Sequence, residues 1–170
     1  MPNDGNRYEV IDGELFVTPA PSWQHQRAVL ELARHLQDYL AMHAIGDLLI
    51  APADVAFSPT RVVEPDLFVV PLVNGKRPHR FEDVGRLLVV AEVLSSSTAR
   101  ADRVRKRLVF REEAVPEYWI IDLDARAVER STPADSRVEL IDDRLEWMPP
   151  GAEAAFVLDI PGYFAKVLDD

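Results

Sequence analysis

The chain has 170 residues, 48% of them hydrophobic, enough for one domain with its own core over 1–170. Nineteen Lys and Arg against 29 Asp and Glu give a formal charge of -10, which excludes a generally basic coat protein for nucleic acid or acidic membrane. With no cysteine, disulfides, thiolate zinc sites, iron–sulfur clusters and a cysteine nucleophile are excluded as well. The first residues lack a cationic flank followed by an apolar run, and no stretch approaches 18 uninterrupted apolar residues. A cytoplasmic protein with no membrane partner is therefore expected.

Along the chain, Asp12-Gly13 sits between two short apolar-rich runs, 8–11 and 14–17, the signature of a tight N-terminal hairpin. Val29, Leu32, Ala33, Leu36 and Leu40 then follow helical spacing, with Ser22 as N-cap and Gly46 closing the helix. Short apolar runs at 48–50, 55–57, 67–70 and 87–94 read as strands, and 74–81 as an exposed loop. Ser97-Thr98 offers a cap for a helix over 99–113, and Pro116 precedes a strand at 118–121. Strand, helix, strand favours a parallel crossover in a mixed sheet. The runs 127–131, 137–141 and 144–147 predict a C-terminal meander, and Pro161-Gly162 introduces a last helix over 163–168. The fold class is α/β (α+β), a mixed central sheet flanked by helices.

Two acids stand where a core should be. Glu92 interrupts Leu87-Leu88-Val89-Val90-Ala91-Glu92-Val93-Leu94, a run apolar on both period-2 faces, as in a central strand. Asp66 opens Leu67-Phe68-Val69-Val70 directly after Pro65. A buried carboxylate must be protonated, paired with a base or bound to a cation, and two on adjacent strands suit Mg2+, with Mn2+ as substitute. Singly, each fits a strand end or a salt bridge equally well. The next helix concentrates Arg100, Arg103, Arg105, Lys106, Arg107 and Arg111 around one acid, Asp102, a local anion-attracting surface in an acidic chain. Asp102, Lys106 and Phe110 share one stripe, so a face burying Phe110 also carries Lys106 towards the sheet. The plainer reading makes Lys106 the i,i+4 partner of Asp102.

Taken in order, Tyr8-Glu9-x-Ile11-Asp12-Gly13-Glu14-Leu15, His25-Gln26, Pro65-Asp66, Glu92-Val93-Leu94-Ser95-x-Ser97-Thr98, Asp102-Arg103-x-x-Lys106 and Pro116-Glu117-Tyr118-Trp119 resemble the Uma family of restriction-endonuclease-like proteins. That family lies within the PD-(D/E)xK nuclease superfamily. The resemblance runs from about Tyr8 to Glu129 and implies a magnesium-dependent phosphodiesterase. It implies Asp66 and Glu92 as metal ligands and Glu14 as a further acid near the metal. His25 and Gln26, at a helix start, and the basic helix, through Arg103 and Arg105, are expected to hold substrate phosphate. Leu94 stands where the superfamily lysine should follow Glu92 by two residues, and Lys106 in the following helix is its candidate replacement. DNA is the expected substrate, and a homodimer would supply two sites for two strands. The rival reading is a nucleic-acid-binding or protein-interaction module that keeps the fold without turnover. A third is a small-molecule or RNA phosphohydrolase using the same acids.

Overall fold

A computed structural model of the chain describes residues 7–18, 21–94 and 99–169. Strands β1 (Arg7–Ile11) and β2 (Glu14–Thr18) form the expected hairpin. Its turn places Asp12 and Gly13 at φ 52 and 83°, the left-handed pair that a two-residue hairpin turn requires. Helix α1 (Trp23–Met42) starts where Ser22 Oγ accepts the His25 backbone N–H at 3.2 Å, and it ends at His43. Gly46 does not close this helix but opens β3 (Gly46–Ile50). A Cβ at Gly46 would sit 2.7 Å from both Val69 Cγ1 and the Val70 carbonyl, so close strand approach, not a helix cap, demands glycine there.

The chain continues through β4 (Val55–Ser58), β5 (Arg61–Val63), β6 (Leu67–Pro71), β7 (Val89–Leu94) and α2 (Ala99–Glu112). The expected Ser97-Thr98 cap of α2 lies outside the described residues. Then come β8 (Tyr118–Asp122), β9 (Ala127–Ser131), β10 (Glu139–Ile141), β11 (Arg144–Trp147), β12 (Phe156–Asp159) and the short α3 (Ile160–Phe164). A wider helical turn, Ala165–Asp169, extends α3, so this helix begins three residues before the sequence pattern suggests.

The central sheet has six strands in the order β10-β9-β8-β7-β6-β3. Every neighbouring pair is antiparallel except β7 and β8, which run parallel and are joined through α2. The hairpin joins β5 and β4 in a separate sheet, β2-β1-β5-β4. The expected three-run meander is divided: β9 and β10 pair in the central sheet, whereas β11 pairs with β12 as a ribbon. The reason is burial. Leu145 and Trp147 of β11 pack with Phe156 and Leu158 of β12 in the core beneath α1.

Alternation along β6, β7 and β8 sorts the core into two layers. Leu67, Val69, Ala91, Val93, Trp119 and Ile121 face α1, α3 and the ribbon. Phe68, Val70, Val90, Tyr118 and Ile120 face α2 and the small sheet, meeting Phe110 and Ile11. Arg61 braces this second layer, since its guanidinium reaches Asp12 of the hairpin turn as well as Glu112 and Glu113 (2.8 and 2.7 Å) at the end of α2.

Candidate active site

Asp66 immediately precedes β6 and is 1% exposed; Glu92, on β7, is 4% exposed. In the register that pairs Leu67 with Ala91, one step further along sets Asp66 opposite Glu92. Glu92 has the parity of Val90 and faces α2 and the small sheet, whereas Asp66 precedes β6 and its carboxylate meets the first turn of α1. The Asp66 carboxylate also bonds the backbone of the neighbouring strand: Oδ2 accepts the Val93 N–H at 2.8 Å. The same oxygen lies 3.0 Å from His25 Nε2.

This second contact fixes the histidine tautomer. Asp66 Oδ2 is an acceptor, so Nε2 carries a proton, while Nδ1 is buried with no hydrogen-bond partner among the described residues. Ser22 and the first turn of α1 place the ring. His25, expected at phosphate, therefore holds an acid here.

Lys106 is buried beneath α2. Its Nζ lies 2.9 Å from Glu92 Oε1 and 2.9 Å from Glu9 Oε2. Burial opposes its charge, but Glu92 and then Glu9 outweigh burial and hold its pKa above the ordinary lysine value. It is an ammonium at neutral pH. Its partners are these two carboxylates, and the Asp102 side chain proposed in the plainer reading lies outside the described residues. Glu9 is anchored in turn, because its Oε1 accepts the Glu64 backbone N–H at 2.9 Å. The hairpin, the Glu64-Pro65-Asp66 segment, β7 and α2 thus meet at one point. Tyr118 reports the same convergence: burial pushes its hydroxyl pKa well up, and the negative charges of Glu92, Glu9 and Asp66 add to that.

Other expected site residues stand elsewhere. Glu14 is exposed, paired with Ile11 across the hairpin, and Glu9 is the hairpin acid that enters the cluster. Sequence reasoning quoted Glu9 without giving it a role. The signal was its period-2 partner Ile11, since a strand that buries Ile11 also turns Glu9 inward. Gln26 is exposed in the first turn of α1. Arg103, expected at phosphate, is ion-paired internally, to Asp122 at 2.6 Å and Glu129 at 2.9 Å. Arg107 likewise binds Glu129 at 2.6 Å. Arg105 lies over the Phe16 ring, 4.1 Å from its centroid, and has no ion-pair partner among the described residues. Leu94 packs its apolar side chain against the layer that holds Glu92.

The donor set suits a hard divalent cation. Asp66 and Glu92 offer carboxylate oxygens from facing positions, and Mg2+ commonly takes only one or two protein carboxylates, leaving the remainder to water and phosphate. Among the described residues no three His, Asp or Glu side chains form a ready-made cage, so the fit rests on the pair.

The fold is that of a solved protein. Over 99% of this chain and 95% of the other, it is similar to the crystal structure of a putative nuclease belonging to DUF820 from Anabaena variabilis, with a TM-score of 0.80 and 21% identity. The two share the mixed α+β fold that the sequence implied, a central mixed sheet flanked by helices. Residues 1–135 match the Uma2 family, described as putative restriction endonucleases, and the chain belongs to that family. No curated protein matches it. Among the described residues no helix is long and apolar enough to cross a membrane.

Proposed function

We propose that this protein is a metal-dependent nuclease that hydrolyses phosphodiester bonds, with DNA as substrate and Asp66 and Glu92 as the ligands of Mg2+ or Mn2+. The observation that carries this reading is a pair of buried carboxylates, Asp66 at the mouth of β6 and Glu92 on the neighbouring β7, with a charged lysine drawn onto Glu92 from α2. Family membership and the shared fold support it. A divalent ion bound there supplies a polarised phosphate and a water of lowered pKa. The chain's own groups do the positioning. His25 and the Val93 N–H hold Asp66, Glu9 and Glu92 hold Lys106, and the Lys106 ammonium stabilises negative charge developing on the phosphoryl oxygens. Because its pKa is raised, Lys106 acts as a fixed cation and not as a proton acceptor. Arg105 beside the hairpin is the α2 cation placed to attract the nucleic-acid backbone. A homodimer would present two such sites to the two strands.

Calorimetric titration with Mn2+ alongside a plasmid-nicking assay tests this. The parent should bind Mn2+ and nick DNA, and Asp66→Asn should lose both. Equal Mn2+ affinity in parent and Asp66→Asn would overturn the site. Mn2+ binding without nicking would identify the module that keeps the fold without turnover, the reading that Leu94 favours.

A further inference from the structure

On the flank of α2 away from the hairpin lies a cavity of about 190 Å3, between the helix and the loop joining β9 to β10. Its apolar lining includes Phe110, Val115 and Tyr118, together with Val104 and Leu108, which are about half exposed on α2. Arg107, Arg111 and Arg137 border it, and Ser131 and Thr132 contribute hydroxyls. Asp135, also lining the cavity, is partly occupied, because one of its oxygens accepts the Thr132 N–H at 2.7 Å.

Of the three cations bordering the cavity, two have no acidic partner among the described residues. Arg103, Lys106 and Arg107 are all internally ion-paired, whereas Arg111 and Arg137 have no ion-pair partner among the described residues. Arg107 contributes a buried Nε that makes no hydrogen bond. In a chain of charge -10, two uncompensated guanidiniums beside an apolar cavity mark a place for an anion with a flat apolar body. Size narrows the class. A cavity of about 150 Å3 is known to accept benzene, so this one holds a single aromatic ring system with a little to spare. We infer that the cavity is a nucleotide site: a nucleobase packs against the half-exposed Val104 and Leu108, above a floor of buried Phe110, Val115 and Tyr118, and its 5′-phosphate is gripped by Arg111 and Arg137.

None of Glu9, Asp66, Glu92 and Lys106 lines the cavity, although its buried floor shares Tyr118 with the acid cluster. Its occupancy does not rest on the nuclease reading. Two sources share the chemistry, a free mononucleotide and the 5′-phosphorylated end of a strand.

The test is calorimetry on the full chain in EDTA, which keeps metal-bridged nucleotide off Asp66 and Glu92. A nucleoside 5′-monophosphate should bind at least 10-fold more tightly than either the matching nucleoside or inorganic phosphate, because only the nucleotide engages both halves of the site. Arg111→Ala with Arg137→Ala should weaken it at least 10-fold while leaving the melting temperature and Mn2+ affinity of the parent intact. Arg111→Lys should recover part of the loss. A short 5′-phosphorylated single strand that displaces the mononucleotide assigns the site to a strand end, and one that does not assigns it to the free nucleotide. Equal binding of nucleotide and inorganic phosphate, or unchanged nucleotide affinity in the double variant, would overturn the inference.

Discussion

Lys106 bears directly on stability, because Glu9 and Glu92 share its ammonium. Replacing it with methionine keeps much of the aliphatic stem but leaves two buried carboxylates facing each other across an apolar space. Removing one partner of a buried ion pair costs about 3–5 kcal/mol. For a chain of this size that corresponds to a fall in melting temperature of roughly 6–20 °C. The Lys106 pKa is raised on folding, so its contribution is fully present below the ordinary lysine value of about 10.4 and is lost only as pH rises through the folded value. The deficit of Lys106→Met should therefore be constant between about pH 6 and 9. Adding Glu9→Gln should recover part of it by removing one stranded charge, and the double-mutant cycle gives the coupling directly. The assay is thermal and urea unfolding of the four proteins in EDTA. A Lys106→Met melting temperature within about 1 °C of the parent would refute the buried triad. The same geometry decides the sign for Glu92→Gln: two crowded acids alone would gain stability on losing a charge, but with Lys106 beneath them the variant should lose it.

His25→Ala should weaken Mn2+ binding about 10- to 100-fold, the usual effect of removing a group that orients a metal ligand, and His25→Gln should restore part through its side-chain N–H; an unchanged dissociation constant would show that Val93 N–H alone fixes Asp66. Burial opposes the Asp122 charge, but the Ala125 N–H and Arg103 together hold its carboxyl below the usual aspartate range. Its stabilisation is thus present above about pH 3.9 and lost as pH falls through the lower folded value, so Asp122→Asn should unfold more easily in urea at pH 7 while the gap closes only as pH falls below about 3.9. Arg105→Ala should reduce the slope of log affinity for DNA against log salt by about 0.9, whereas Arg103→Ala should leave that slope unchanged and lower the melting temperature.

Much of this site is legible in the sequence where a residue violates its surroundings. Glu92 breaks a strand that is otherwise apolar on both faces, Asp66 opens another, and Lys106 shares the stripe of buried Phe110. Glu9 violates nothing so plainly, because polar and apolar residues mix along β1, and only the burial of Ile11 reveals its inward face. The charge of α2 misleads for a related reason. Composition counts cations on a helix but cannot see that Asp122 and Glu129, on strands separate in sequence, lie within reach of Arg103 and Arg107. Non-local pairing also hides β12: Phe156 and Leu158 carry a strand alternation, but its partner is β11 and not the sheet that the preceding runs build.

The crossover explains how the site keeps a lysine without one at position 94. Since β7 and β8 run parallel, the chain must return along the sheet between them, and α2 makes that return over the face bearing Glu92. A residue near the middle of the helix on the stripe of Phe110 then falls above Glu92, which is where Lys106 sits. Position 94 is released to pack as leucine against the same layer. The consequence reaches beyond the lysine, because the flanks of a helix so placed meet the acids of β8 and β9, and Arg103 and Arg107 are consumed there. Of the described cations on α2, only Arg105 on the hairpin side and Arg111 beside the cavity keep charge to offer a ligand. A chain of charge -10 with so few uncompensated cations on this helix cannot hold a polyanion by general attraction. A nuclease of this charge, as proposed above, would grip nucleic acid through particular contacts at these two places and through a cation held by Asp66 and Glu92.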